Sequence, residues 1–181
     1  MNLEEKLQSA SPEAYGNSYG QHLLEQYKLY VEMADRISQR RQNANGFGLS
    51  INTALLGIVG LVASRCPPGQ MFTMTAVISV AGMLMSYEWH QLLCSYRNLN
   101  TAKFAVIHAI EKHLPIAPYA AEWLAAGEGK NSKLYKPLTH IEVGIPRIFM
   151  LAYLASLLYS VVMLIVQWCM GGAGTIPTTQ P

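Results

Sequence analysis

Three long stretches of this chain carry no charged side chain, and they constrain its fold more than any other feature. The stretches cover residues 42–64, 66–87 and 148–181 of a 181-residue sequence. A helix needs about 20 mostly apolar residues to cross the hydrocarbon core of a bilayer. We therefore predict three membrane-spanning helices, at Gly46–Ser64, Met71–Tyr87 and Phe149–Met170.

The composition also favours a membrane protein. Charged residues make up 13% of the chain, and hydrophobic residues make up 51%. The charged share is about half the ~25% that is usual in soluble domains. The formal net charge of +2 gives no global basic field, so we expect no direct binding of nucleic acid. Three widely spaced cysteines exclude a disulfide scaffold and a multi-cysteine zinc module.

The predicted fold is an all-α membrane protein, with a helical hairpin, a third C-terminal hydrophobic helix and cytoplasmic helices. The first two spans form the hairpin because Cys66-Pro67-Pro68-Gly69 cannot continue a helix. We divide the chain into an N-terminal cytoplasmic helix (1–45), the transmembrane hairpin (46–87), a cytoplasmic helical region (88–147), the third transmembrane segment (148–170) and a tail (171–181).

Lysine and arginine set the predicted orientation. If the chain crosses three times, all 13 of these residues except Arg65, in the hairpin turn, lie on one side. The positive-inside rule then places the N-terminus in the cytoplasm. A third segment that lies in the membrane plane would hardly change this distribution, so the sequence leaves open whether that segment fully spans.

One face of the first span is polar at membrane depth. The helical spacing of the preceding apolar positions continues through Arg41, Asn45, Gly48 and Asn52. Polar side chains at this depth usually face the interior of a helix bundle or water. These four residues are candidates for lining a pore, and hydrogen bonding between helices is the alternative that the sequence leaves open.

Two further groups are candidates for contacts at the membrane. Arg36, Arg40 and Arg41 lie just inside the membrane, where they can contact lipid headgroups or form a positive pore mouth. Small residues at helical spacing let helix backbones approach closely in lipid. The candidates for such oligomer packing are Ser50, Ala54, Gly57, Ala152, Ser156 and Ser160.

The residue types that carry catalysis form no recognisable group. Gly127-Glu128-Gly129-Lys130 lacks both the first glycine and the final hydroxyl of a phosphate-binding loop. His90 and Cys94 share a helix face, but two ligands do not make a metal site. We expect no enzyme, no metal site and no cofactor.

Four blocks of the sequence resemble a known family. They are YKLYVEMADRISQRRQNANGFGLSINTALL (Tyr27–Leu56), SYRNLNTAKFAVIHAIEKHLP (Ser95–Pro115), PYAAEW (Pro118–Trp123) and LYKPLTHIEVGIPRIF (Leu134–Phe149). In order and wording they resemble the RipA family of small octameric bacterial membrane proteins, which is related to the membrane accessory protein of type VI-B CRISPR systems. The resemblance implies an octameric ring in the bacterial inner membrane, with a central pore-like passage and no established enzymatic activity.

Two functions follow from the residues and the resemblance together. The first is a pore- or channel-like ring with a role in membrane physiology, stress or defence. The alternative is a non-conducting membrane scaffold that docks a soluble cytoplasmic partner. In both, the expected partners are the lipid bilayer and further copies of the chain. The Arg-x4–6-His motif suspected in the CRISPR-linked relatives is missing here, so we do not expect a ribonuclease.

Overall fold

The computed structural model describes residues 3–130, 135 and 141–172, and every regular element among them is helical. The elements are α1 (Leu3–Leu7), α2 (Pro12–Tyr15), α3 (Tyr19–Arg65), α4 (Pro68–Glu111), α5 (Pro118–Ala125), a 3-10 turn (Gly127–Gly129) and α6 (Gly144–Gly172). The predicted all-α fold is confirmed. Most of the predicted tail, from residue 173 onward, lies outside the described residues.

Helices α3, α4 and α6 are each long and apolar enough to cross a membrane. They contain the three predicted spans, at residues 46–64, 71–87 and 149–170. Helix α3 ends at Arg65 and α4 begins at Pro68, where the missing N–H of proline costs a helix nothing. The prediction of a helical hairpin followed by a third hydrophobic helix is confirmed.

Helix α3 is longer than either sequence segment from which it is built. The sequence suggested a helix ending at residue 45 and a span beginning at Gly46, whereas α3 runs unbroken over 47 residues. At ~1.5 Å per residue this helix is about 70 Å long. No proline occurs between residues 13 and 66, and each glycine costs a helix interior only about 1 kcal/mol.

The chain divides into two compact units. The first unit contains Met1–Ala44 and Leu92–Glu142, and the second contains Asn45–Gln91 and Val143–Pro181. Helices α3 and α4 each contribute one part to each unit. The three predicted spans, at residues 46–64, 71–87 and 149–170, all belong to the second unit.

Two glycines allow the helices of the second unit to approach closely. A Cβ atom at Gly48 of α3 would overlap the indole ring of Trp89 on α4. A Cβ atom at Gly82 of α4 would overlap the phenol ring of Tyr153 on α6. Small residues at such crossings permit backbone contact in lipid, where no hydrophobic force drives helices together.

The first unit is built from the remaining parts of α3 and α4, with the short helices at their ends. Its buried apolar side chains include Ala34, Leu93 and Ile107. Near the end of α4, Lys112 donates a hydrogen bond to Glu4 of α1, and that ammonium lowers the pKa of the Glu4 carboxyl. Helix α1 is thereby held to the end of α4.

Candidate functional site

Asn52 joins the three helices of the second unit. Its side chain is 1% exposed; Nδ2 donates to the carbonyl of Gly48 at 2.8 Å, and Oδ1 accepts from the Ser86 hydroxyl at 2.8 Å. The hydroxyl of Tyr153 donates to the backbone carbonyl of Asn52 at 3.0 Å. The side-chain nitrogen, the side-chain oxygen and the backbone carbonyl of Asn52 are therefore all hydrogen-bonded within the protein.

The predicted lining residues all lie on the side of α3 that packs within its own unit. Gly48 contacts Trp89, and the side-chain oxygen of Asn45 is buried. In the first unit, Arg41 is mostly buried, with Nε 3.2 Å from a carboxylate oxygen of Glu142. This placement matches the alternative of contacts between helices, and a role of the four residues in lining a passage stays a prediction.

The opposite face of α3 in the second unit carries a strip of small and polar residues, which we call the outer strip. It consists of Gly46, Ser50, Thr53, Gly57, Leu61 and Ser64, all of which are exposed. Their spacing places them within a strip about 80° wide along an ideal helix. Only Leu61, which is 58% exposed, is a large apolar residue.

The two serine hydroxyls of the outer strip are satisfied by their own helix. Ser50 Oγ donates to the carbonyl of Gly46 at 2.9 Å, and Ser64 Oγ donates to that of Leu61 at 2.9 Å. Around Gly46 and Gly57 there is open space, since a Cβ atom at either would meet nothing within 4 Å. The strip can therefore accept either water or a closely packed helix.

Large apolar side chains flank the outer strip on both sides. Phe47 and Ile58 are exposed on one side of it, and Leu49 and Leu56 are exposed on the other. These residues suit contact with lipid tails or with another apolar helix. The outer strip is thus a narrow polar band within an otherwise apolar helix surface.

The predicted packing residues divide between the inside and the outside of the protomer. Ser160 is fully buried, and the hydroxyl of Ser156 accepts a hydrogen bond from that of Ser79 at 3.1 Å, so both contribute to packing within the second unit. In contrast, Ser50, Ala54, Gly57 and Ala152 are exposed. Only these four are available to a neighbouring copy, and their role in oligomer packing stays a prediction.

The arginines near the membrane have different surroundings. Arg36 is exposed and forms an ion pair with Glu32 at 2.7 Å, while Arg40 is exposed on the next turn. Arg41 is the one held against a carboxylate in a largely buried position. Arg36 and Arg40 are therefore exposed, whereas Arg41 is engaged within the protomer. Contact of these arginines with headgroups or a pore mouth stays a prediction.

Sequence reasoning missed a buried carboxylate in the first unit. Glu111 is 1% exposed; Oε1 accepts from the Tyr27 hydroxyl and from the Tyr119 N–H, both at 2.9 Å. Oε2 accepts from the Ala120 N–H at 2.9 Å. Burial, with the Glu111 carboxylate close by, raises the pKa of Tyr27 to about 12. The only available signal was an acid just before Leu114-Pro115.

Glu111 thus caps α5 from outside that helix. Tyr119 and Ala120 belong to the first turn of α5, whose N–H groups have no partner within the helix. The residue that precedes α5, Ala117, has no side chain that could cap it. A carboxylate is the favoured partner there because the first turn carries partial positive charge.

The first unit also contains a small, partly open cavity, and the described residues of neither unit offer a group of metal ligands. The cavity, of about 110 Å³, is lined by residues that include Leu7, His22, Leu23 and His113. Among the described residues, no three His, Cys, Asp or Glu side chains come together to hold a metal ion. The ring nitrogen Nε2 of His90 accepts a hydrogen bond from Arg147 at 3.0 Å.

Three helices that are long and apolar enough to cross a bilayer define an integral membrane protein of the helical class. The chain belongs to the octameric membrane protein family (8xMP), whose model matches residues 24–162. The expected membership in a family of octameric membrane proteins is confirmed, and the RipA and CRISPR relations stay predictions. No curated protein and no solved structure matches the chain.

Proposed function

We propose that eight copies form a ring with a water-filled passage, and that the outer strip of α3 lines it. The observation that carries the proposal is the chemistry of the strip, whose six exposed residues include a single large apolar side chain, Leu61. Polar groups at membrane depth usually face a water-filled cavity or a protein interior, and in the protomer this strip faces neither.

The other exposed surfaces of the second unit suit lipid or neighbouring helices. On α6 the large exposed side chains include Ile148, Leu151, Leu158, Val162 and Ile165. On α4 they include Met74, Val77 and Leu84. These surfaces are mostly apolar, and their exposed exceptions within the spans include Thr73 and Tyr159. The outer strip is therefore the surface that gains most from turning toward an axis filled with water.

Ring geometry supports a passage of useful width. Helices pack with their axes about 8–10 Å apart, so a ring of eight α3 helices has a radius of about 10–13 Å to the helix axes. Subtracting a helix radius of about 5 Å leaves a free diameter of about 10–16 Å. A passage of this diameter admits small hydrated solutes. Its lining, which consists mainly of glycine, serine and threonine, leaves the width unobstructed and is compatible with water.

A non-conducting scaffold is the second candidate. The hydroxyls of Ser50 and Ser64 are already satisfied, so a neighbouring helix could cover the outer strip without leaving either serine unpaired. The ring would then be dry, and the first unit would bind a soluble cytoplasmic partner. In both candidates we propose an inner-membrane protein with a cytoplasmic N-terminus and without enzymatic activity.

Cysteine chemistry at residue 50 distinguishes the two candidates. In a variant that lacks Cys66, Cys94 and Cys169, Ser50→Cys should react with a small membrane-impermeant methanethiosulfonate reagent if the strip lines water. The matched control is Ile58→Cys, on the flank of the same helix, which should stay unreactive.

The contrary outcome is equally specific. If Ser50→Cys in the assembled protein resists the reagent but forms disulfides between copies under mild oxidation, the strip is a packed interface and the scaffold is favoured. If Thr53→Cys behaves in the same way, the lining proposal is overturned.

A further inference from the structure

We propose that the passage prefers small anions, with chloride as the simplest example, and that Arg65 produces this preference. The inference rests on the proposed function, because it concerns the mouth of the same passage. Its evidence is the distribution of charge along the second unit.

Arg65 is the only charged residue between positions 42 and 87. It is the last residue of α3, directly after Ser64 of the outer strip, and it is exposed. The second unit contains one acidic residue, Glu88, which lies 20 residues beyond the start of α4 and so about 30 Å along that helix. Within the second unit, no acidic side chain therefore lies near this end of α3.

The ion pairs of the described residues support the same conclusion. They involve Arg36, Arg41, Lys112 and Lys130, and none involves Arg65. The residues outside the described part contain no Asp or Glu. Arg65 lies about 80° around the helix from the centre of the outer strip, and its flexible stem lets the guanidinium extend toward water.

Eight copies would place eight positive charges around this mouth. Rings of arginine or lysine favour anions in pores. At about 12 Å from the axis, screened Coulomb arithmetic gives about a threefold enrichment of monovalent anions on the axis at 0.15 M salt. The enrichment rises to about twentyfold at 0.01 M, where the Debye length is about 30 Å.

The lining itself adds no opposing preference. From Gly46 to Ser64 the outer strip carries hydroxyls, glycine and one leucine, with no charge. A passage of about 10–16 Å lets anions keep their hydration shells. Within the second unit, the charge preference therefore comes from the Arg65 mouth, and it should weaken as salt is raised.

The test is a reversal-potential measurement on the purified full-length assembly in planar bilayers, under a tenfold KCl gradient. The reversal potential of the wild type should be shifted from zero toward the equilibrium potential of chloride, and this shift should be larger at low salt. Arg65→Gln should move the reversal potential toward zero, and Arg65→Glu should move it to the potassium side. Arg65→Lys, which keeps the charge, should behave as wild type.

Two results separate failure of this inference from failure of the proposed function. A conductance that is blocked by the reagent at Ser50→Cys, but whose reversal potential ignores Arg65→Gln and Arg65→Glu, overturns the anion preference and leaves the passage intact. In that case Arg65 contacts lipid phosphates instead. Absence of conductance, together with an unreactive Ser50→Cys, overturns the passage itself.

Discussion

At the scale of single residues, Glu111 is the side chain on which the first unit depends most. Its carboxylate accepts three hydrogen bonds, from Tyr27 on α3 and from Tyr119 and Ala120 on α5. A buried carboxylate is tolerated only when its oxygens are well paired. One side chain at the end of α4 therefore fixes both a neighbouring long helix and the start of α5.

Replacing Glu111 with glutamine should loosen α5. An amide keeps one accepting oxygen but presents an N–H₂ group where the carboxylate accepts from Ala120, so one buried donor loses its partner. Loss of such a bond costs about 1–3 kcal/mol. Hydrogen exchange should show faster exchange of the Tyr119 and Ala120 amides in Glu111→Gln.

The matched control is Glu122→Gln, on the exposed side of α5. It removes the same charge from the same region without touching the first turn of the helix. Equal protection of the two amides in both variants would show that Glu111 does not cap α5.

At the scale of helices, the sequence predicts the spans well because the hydrophobicity of a span is a sum over its own residues. A stretch of about 20 uncharged, apolar residues can be identified from length and composition alone. The positions that share a face of α3 could also be identified, since they follow helical spacing. Both the predicted polar stripe at Arg41–Asn52 and the outer strip are such faces.

The sequence could not tell which of the two faces of α3 is turned inward. Both a helix interface and a water-filled passage contain polar residues at membrane depth, so the periodicity of Asn45 and Asn52 fits either. The placement of Asn52 depends on Ser86 and Tyr153, which lie on other helices and have no local signal. The cap by Glu111 was missed for the same reason, because its partners are distant in sequence or follow a turn.

The close helix contacts make a prediction for two glycines. Gly48→Ala and Gly82→Ala each add a methyl group where Trp89 or Tyr153 already lies. Overpacking of this kind typically costs about 1–3 kcal/mol. The thermal unfolding temperature in detergent should fall for both variants, and the octamer should dissociate at lower temperature.

Gly20→Ala provides the control for these two substitutions. Gly20 also lies in α3, but a Cβ atom there meets nothing within 4 Å, and alanine is the better helix former by about 1 kcal/mol. This variant should be as stable as the wild type or slightly more stable. If all three glycine variants behave alike, the close contacts do not limit stability.

At the scale of the whole molecule, family membership and apolar helices together define an oligomeric membrane protein. An odd number of spans would place the two ends of the chain on opposite sides of the membrane. Lysine and arginine then predict that the α3–α4 turn faces outward, since Arg65 is the only basic residue on that side.

Thiol labelling in spheroplasts tests this orientation. With Cys66 as the single cysteine, an impermeant maleimide should label intact spheroplasts, because residue 66 lies in the outward turn. With a single cysteine at Ala121→Cys in the exposed surface of α5, labelling should require permeabilised membranes. The reverse pattern at both positions would mean that the N-terminus faces outward.

The hydrogen bonds of Asn52 also form in a fixed order while the protein is being synthesised. Its amide enters the bilayer with only the carbonyl of Gly48 as a partner, in its own helix. Ser86 follows 34 residues later, and Tyr153 follows 101 residues later. At ~5–20 residues per second, Tyr153 is synthesised about 5–20 s after Asn52. Until then the hairpin of α3 and α4 lacks the hydrogen bond from Tyr153 on α6. The rate of translation therefore sets how long this hairpin stays without its third helix.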